Sequence, residues 1–136
     1  MSIKIAHVGV AVNSLQETLR FYHEVLQVQE KGITEVERDG VTVAFIGVGE
    51  SNIELLEPLG PDTNVGKFLA KRGEGIHHLA IRVDNVAEAM ARARKHGYQL
   101  IDPEPRPGAG GTTVAFIHPK STSGVLMELV EGEPQH

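Results

Sequence analysis

The sequence predicts an α+β fold of two tandem βαβββ modules whose sheets curl around a shared metal-binding cavity. Three observations lead there. The chain repeats itself, each copy reads as a strand, a helix and three strands, and the polar residues that recur lie in otherwise apolar strands.

The repeat comes first, because self-similarity governs how the rest is read. Residues 5–15 read IAHVGVAVNSL and residues 76–86 read IHHLAIRVDNV, which aligns His7 with His78 at a spacing of 71. VAFI at 43–46 recurs at 114–117 with the same spacing of 71. ELLE at 54–57 recurs as ELVE at 128–131 at a spacing of 74, so three extra residues enter between the last two matches. Matches in one order at nearly constant spacing indicate duplication.

The elements follow in order. Ile3 to Val12 mixes β-branched and small residues and predicts a strand. Ser14 with Glu17 resembles a capping box, and Leu15, Leu19, Tyr22 and Leu26 form the apolar stripe of a helix behind it. Thr34 to Glu37, Val41 to Val48 and Asn52 to Glu57 predict three strands, punctuated by Gly40, Gly47 and Gly49. The second copy opens with a strand over Ile76 to Val83. Asn85 with Glu88 is a second capping signal, and the helix runs to about His96 and stops at Gly97. Gln99 to Ile101, Thr113 to Ile117 and Val125 to Val130 predict the remaining strands. Between the copies, Pro58 to Pro61 breaks the chain and Asn64 to Lys71 predicts a short helix with Val65, Phe68 and Leu69 on one side. Pro103 to Gly111 reads as a Pro-Gly loop. The expectation is one domain over 1–136, with module one at about 3–57, a connecting helix at about 64–72 and module two at about 76–131.

Composition excludes several functions. The chain has no cysteine, which removes disulfides, thiolate nucleophiles and sulfur-based zinc sites. A net charge of −5 opposes nucleic-acid binding as the main task. Aromatic content of 4% opposes stacking platforms for bases or sugars. No signal-peptide core and no apolar run of spanning length is present, so a cytoplasmic protein without a membrane partner is expected.

The recurring polar residues carry the chemistry. His7 matches His78 and Glu54 matches Glu128. A buried imidazole or carboxylate needs a partner, and two of each converging across a pseudo-twofold axis satisfy one another through a divalent cation. Such a site has nitrogen and oxygen donors only, which suits Co²⁺, Mn²⁺, Ni²⁺, Fe²⁺ or Zn²⁺. Strand alternation turns His77 away from His78, and Glu57 and Glu131 away from Glu54 and Glu128. His23, His96, His118 and His136 have no place in the repeat and read as helix-surface, helix-end, loop and tail residues.

The stretches IAHVGVAV, IELLEPLGPDTNVGKFLAKRGEGIHHLAIRVDNV and PRPGAGGTTVAFIHPKSTSGVLMELVE resemble the vicinal oxygen chelate superfamily (glyoxalase, bleomycin resistance and dioxygenase proteins). Within it, KFLAKRGEGIHHLA and HPKSTSGVLMEL are similar to the methylmalonyl-CoA epimerase family. That resemblance implies metal ligands at His7, His78 and Glu128, with Glu54 at a fourth ligand position. It implies interconversion of (2R)- and (2S)-methylmalonyl-CoA through a metal-stabilised enolate, with Glu128 as the catalytic carboxylate and Co²⁺ first among the expected ions. It also implies an acyl-CoA partner and a homodimer. Some members carry a glutamate where this chain has Val43, which leaves the second acid–base group open among Glu54, a metal-bound water and another residue.

The glycines of the Pro-Gly loop, at 105–111, offer backbone N–H groups to a substrate carboxylate or simply form a turn. Lys67, Lys71, Arg72 and Lys120 offer positive charge to CoA phosphates or simply face solvent. Ser121 and Thr122 hydrogen-bond substrate or cap a turn. The competing functions are a lactoylglutathione lyase (glyoxalase I), a non-enzymatic binder of small molecules, and an iron dioxygenase, which needs only one carboxylate.

Overall fold

Each module opens with a strand that feeds a capped helix. β1 (Lys4–Ala11) leads to Ser14, whose hydroxyl accepts from Glu17 N at 3.2 Å and starts α1 (Leu15–Glu24). β5 (Gly75–Arg82) leads to Asn85, whose side chain accepts from Glu88 N at 2.9 Å and starts α3 (Val86–Lys95). These are the caps read from the sequence, each satisfying an orphan amide of the first turn. A second tether recurs with them. Glu57 accepts from Leu15 N at 2.8 Å, and Glu131 accepts from Val86 N at 2.9 Å. The carboxylates that alternation turned away from Glu54 and Glu128 therefore anchor the helix N-termini, where the backbone dipole favours negative charge.

The structure, a computed structural model, describes residues 3–134. It is α+β, with the order βαβββ in both modules. The first continues through β2 (Gly32–Val36), β3 (Val41–Val48) and β4 (Ser51–Pro58), the second through β6 (Arg106–Pro107), β7 (Thr113–Ile117) and β8 (Met127–Glu131), with α2 (Asn64–Arg72) between. The described chain divides into two compact units, residues 8–77 and residues 3–7 with 78–134. The division falls inside β1 and β5, so the start of β1 belongs with the second module.

In the unit 8–77 the strand order is β2-β3-β4-β1, and antiparallel β3 and β4 place Phe45 opposite Glu54 and Val43 opposite Leu56. Leu15 and Leu19 of α1 pack on Ala44, Ile46 and Leu55 with Val12. Val43, Phe45 and Glu54 consequently lie on the sheet face turned from α1. The helical stripe stops short of Leu26, which is 48% exposed beyond the end of α1. Gln27 has a φ of 54°, which no right-handed helix accommodates.

In the unit 3–7 with 78–134 the order is β1-β5-β8-β7-β6. β8 runs parallel to β5 and antiparallel to β7, which sets Phe116 opposite Glu128. Val86 and Met90 of α3 pack on Ala115 and Leu129. The strand expected at Gln99 to Ile101 reduces to one bridge, Leu100 with Ile117, and β6 forms inside the stretch read as a loop. The Asp102 carboxylate accepts from Phe116 N at 2.6 Å and takes the place of the next main-chain acceptor. The prolines at 103, 105 and 107 bring no N–H to a ladder.

Gly66 shows tertiary context overriding propensity. Its N–H donates to Thr63 Oγ1 at 3.0 Å, the cap of α2. A Cβ there would collide with the Gly60 carbonyl and stand 2.9 Å from the Pro61 oxygen. Intrinsic helix propensity favours alanine by about 1 kcal/mol, yet backbone atoms cannot swing aside as a side chain can. Gly66→Ala is expected to lower unfolding stability by about 1–3 kcal/mol in urea titration, and a gain in stability would contradict this packing.

Candidate metal centre

Burial separates a small set of polar residues from the rest. Among the described residues the buried polar or charged ones are His7, Asn52, Glu54, His78, Thr112 and Glu128. Four of these six are the residues selected by the repeat. Placing them inside is costly without compensation, so their neighbours define the site.

Three of them converge within the unit 3–7 with 78–134. His7 Nε2 and His78 Nε2 are 2.9 Å apart, and each lies 3.0 Å from Glu128 Oε1. β1 delivers His7, β5 delivers His78, and parallel pairing sets the adjacent Leu79 and Ala80 against Met127 and Glu128 of β8. The imidazole planes cross at 86°.

No arrangement of protons on neutral rings satisfies this triangle. If both Nε2 atoms carry hydrogen, both can donate to Glu128, but two N–H groups then face each other. If only one does, the lone pair of the other faces the carboxylate with no proton between them. A cation inside the triangle resolves the conflict. Three donors at right angles, each roughly 2.1 Å from an ion, stand about 3.0 Å apart, whereas tetrahedral donors stand about 3.4 Å apart. Donors this close together could all reach one ion. Among the described residues, His7, His78 and Glu128 are the group of His, Asp and Glu atoms close enough to hold one ion.

Burial raises the proton affinity of Glu128, but hydrogen bonds from His7 and His78, and then their charge, outweigh it and hold the carboxyl down to about 2. Glu128 is therefore ionised throughout the neutral range, as a ligand must be. Glu54 is 5% exposed and lies on β4 opposite Phe45, in the unit 8–77. The correspondence of Glu54–Phe45 with Glu128–Phe116 reproduces the repeat at the level of strand register. The three extra residues fall in the β7–β8 connection.

The remaining candidates have local roles. His77 faces away from His78, edge-on to Phe68 of α2 at 4.9 Å between centroids. His118 accepts from Lys120 N at 3.0 Å and caps a turn. Ser121 accepts from Gln99 N at 2.8 Å, and Thr122 donates to Val125 O at 2.7 Å. His23 pairs with Glu30 at 2.6 Å, and His96 closes α3. His136 lies outside the described residues. Arg72 lies over the Phe68 ring at 5.9 Å. Val43 is buried on β3 and brings no titratable group. Sequence reasoning missed Asp102 and Arg106. Their spacing of four marks a local pair only once the loop is folded, and Arg106 Nε donates to Asp102 at 2.8 Å.

The fold is that of a known class. The chain belongs to the Glyoxalase/Bleomycin resistance protein/Dioxygenase superfamily, whose pattern matches residues 6–116. Within it the chain is similar to methylmalonyl-CoA epimerases. The mitochondrial enzyme of Mus musculus is 39% identical over 127 residues, covering 93% of this chain and 71% of that protein. A variant of the Streptomyces coelicolor epimerase, solved in complex with 2-nitronate-propionyl-CoA, superposes with a TM-score of 0.91 at 37% identity, covering 95% of this chain and 94% of that one. Lactoylglutathione lyase of Escherichia coli O157:H7 matches at 32% identity over 95% of this chain and 93% of its own length.

Two outcomes test the centre. His78→Ala is expected to abolish Co²⁺ binding measured by calorimetry, while His77→Ala keeps it; loss in both would show that the doublet was assigned wrongly. The second concerns pH in the metal-free chain. A carboxyl held near 2 against an ordinary 4.5 contributes stability that is fully present above 4.5 and lost as pH falls towards 2. The stability of the native chain relative to Glu128→Gln should therefore hold steady above that window and decline within it. A relative gain on acidification would refute the assignment.

Proposed function

We propose that the chain is a methylmalonyl-CoA epimerase, acting as one catalytic domain that interconverts the (2R) and (2S) thioesters. The observation that carries this reading is the buried His7, His78 and Glu128 triangle in a chain similar to epimerases along nearly its whole length. Those three residues would hold a divalent cation, with Glu54 as a fourth ligand and Co²⁺ as the first ion to test. When bound, the cation supplies electrophilic stabilisation of the negative charge that develops on the thioester oxygen as the α-proton leaves.

Glu128 is the base. Both imidazole contacts fall on its Oε1, so Oε2 is the oxygen assigned to the proton. Its low proton affinity keeps it ionised but weakens its pull, so orientation must make up the difference. Val43 can neither donate nor accept a proton. Glu54 shares the sheet face of Val43 and is the carboxylate assigned to the opposite face of the substrate. Lys67, Lys71 and Arg72 of α2, with Lys120, are the cations assigned to the CoA phosphates. The backbone of residues 105–111 is assigned to the free carboxylate. A cytoplasmic homodimer completes the proposal. Among the described residues no helix is long and apolar enough to cross a membrane.

The lyase reading shares the scaffold and the two histidines. Greater identity to the epimerases than to the lyase, 39% against 32%, favours the epimerase. The iron dioxygenase reading needs one carboxylate, and Glu54 is a second one buried in repeat register.

Incubation with methylmalonyl-CoA in D₂O, followed by proton NMR, tests the function. Loss of the α-proton signal and appearance of both epimers are expected with Co²⁺ and not with excess chelator. Glu128→Gln should slow exchange by about 10²–10⁴-fold. Turnover of the methylglyoxal–glutathione adduct, with no exchange on methylmalonyl-CoA, would transfer the chain to the lyase reading.

A further inference from the structure

Beyond the ligands, one cluster in the unit 3–7 with 78–134 leads back to His78. The Asp102 carboxylate is 12% exposed and bonds on both oxygens. Oδ1 accepts from Arg106 Nε at 2.8 Å, and Oδ2 accepts from Phe116 N at 2.6 Å. One side chain thus fixes both a guanidinium and the backbone of the ring beneath it. The guanidinium carbon sits 5.4 Å from the centre of the Phe116 ring, within cation–π range. The ring in turn meets the His78 imidazole edge-on, with centroids 5.6 Å apart and planes at 83°. Phe116 also stands opposite Glu128 across the β7–β8 ladder.

This arrangement bears on geometry. Turning the His78 ring about its last torsion, a broad and soft one, swings Nε2 out of the donor triangle. A ring packed perpendicular to the imidazole restricts that motion. An uncovered phenylalanine could tilt, but this one is covered by a cation that a partly buried carboxylate holds in place.

We propose that Arg106 is a positioning residue for the metal centre: anchored by Asp102, it clamps Phe116 against His78 and keeps the imidazole in its ligating orientation. The proposal rests on His78 being a ligand and is independent of which thioester is the substrate.

The test is Co²⁺ titration of the chelator-stripped full chain by calorimetry, with the visible spectrum of the bound ion recorded. Arg106→Met keeps the stem and removes the cation; it should weaken binding by about tenfold, the scale of outer-sphere effects on metal affinity, and alter the spectrum. Arg106→Lys should recover part of the loss. Phe116→Leu should weaken binding similarly, and adding Arg106→Met to it should change little more, because both act through one ring. Asp102→Asn, whose amide cannot accept from both donors, is the second route should Arg106→Met fail to fold. Wild-type affinity and spectrum in Arg106→Met, or losses that simply add in the double variant, would overturn the proposal. No Co²⁺ uptake by the wild-type chain would remove the ligand assignment and this proposal with it. Binding as expected without α-proton exchange on methylmalonyl-CoA would support the clamp while removing the epimerase reading.

Discussion

Everything in the second unit is arranged around two imidazoles and a carboxylate taken out of water. His7, His78 and Glu128 are each less than a tenth exposed, and their donor atoms lie within 3.0 Å of one another. Desolvation of this kind is unfavourable unless the groups satisfy one another, and their protons alone cannot do so on all three edges. Contacts among the three groups must therefore offset their desolvation, and a divalent cation held there would add to that compensation. Strands supply its positions, which suits chemistry that depends on fractions of an ångström.

The surrounding scaffold is duplicated more faithfully than the site. Each module caps its helix with a side chain three residues before the amide it serves, and each tethers the helix start with a glutamate from its last strand. Each sets a phenylalanine opposite a buried glutamate. The modules differ in their connections. The second has a longer turn between its last two strands, a Pro-Gly loop and the Asp102–Arg106 pair. A repeated frame with unequal loops lets packing stay constant while ligand-facing residues change.

Val43 has a chemical consequence. It is buried on the sheet face turned from α1, opposite Leu56, and can take no part in proton transfer. In the proposed reaction the burden of acid–base work falls on the glutamates that recur in the repeat. Glu128 shows how environment divides such labour. Burial favours its neutral form, two imidazoles favour its anion, and the imidazoles prevail.

Much of this was legible in the amino-acid sequence. The duplication, the βαβββ order, the caps at Ser14 and Asn85, and the choice of His78 over His77 all follow from spacing and alternation, because period and parity are local properties of a chain. The same logic singled out His7, Glu54, His78 and Glu128, and all four are buried. Local reasoning failed where a distant group intervened. It extended α1 to Leu26, and it drew a strand at Gln99 to Ile101 where Asp102 takes the ladder donor of Phe116. Only the tertiary structure decided that His7, His78 and Glu128 meet within 3.0 Å, because that follows from the parallel pairing of β5 with β8, strands with a helix and two strands between them. It alone revealed the Asp102–Arg106–Phe116 path to His78, since a contact between side chains on separate elements leaves no periodic trace in the chain.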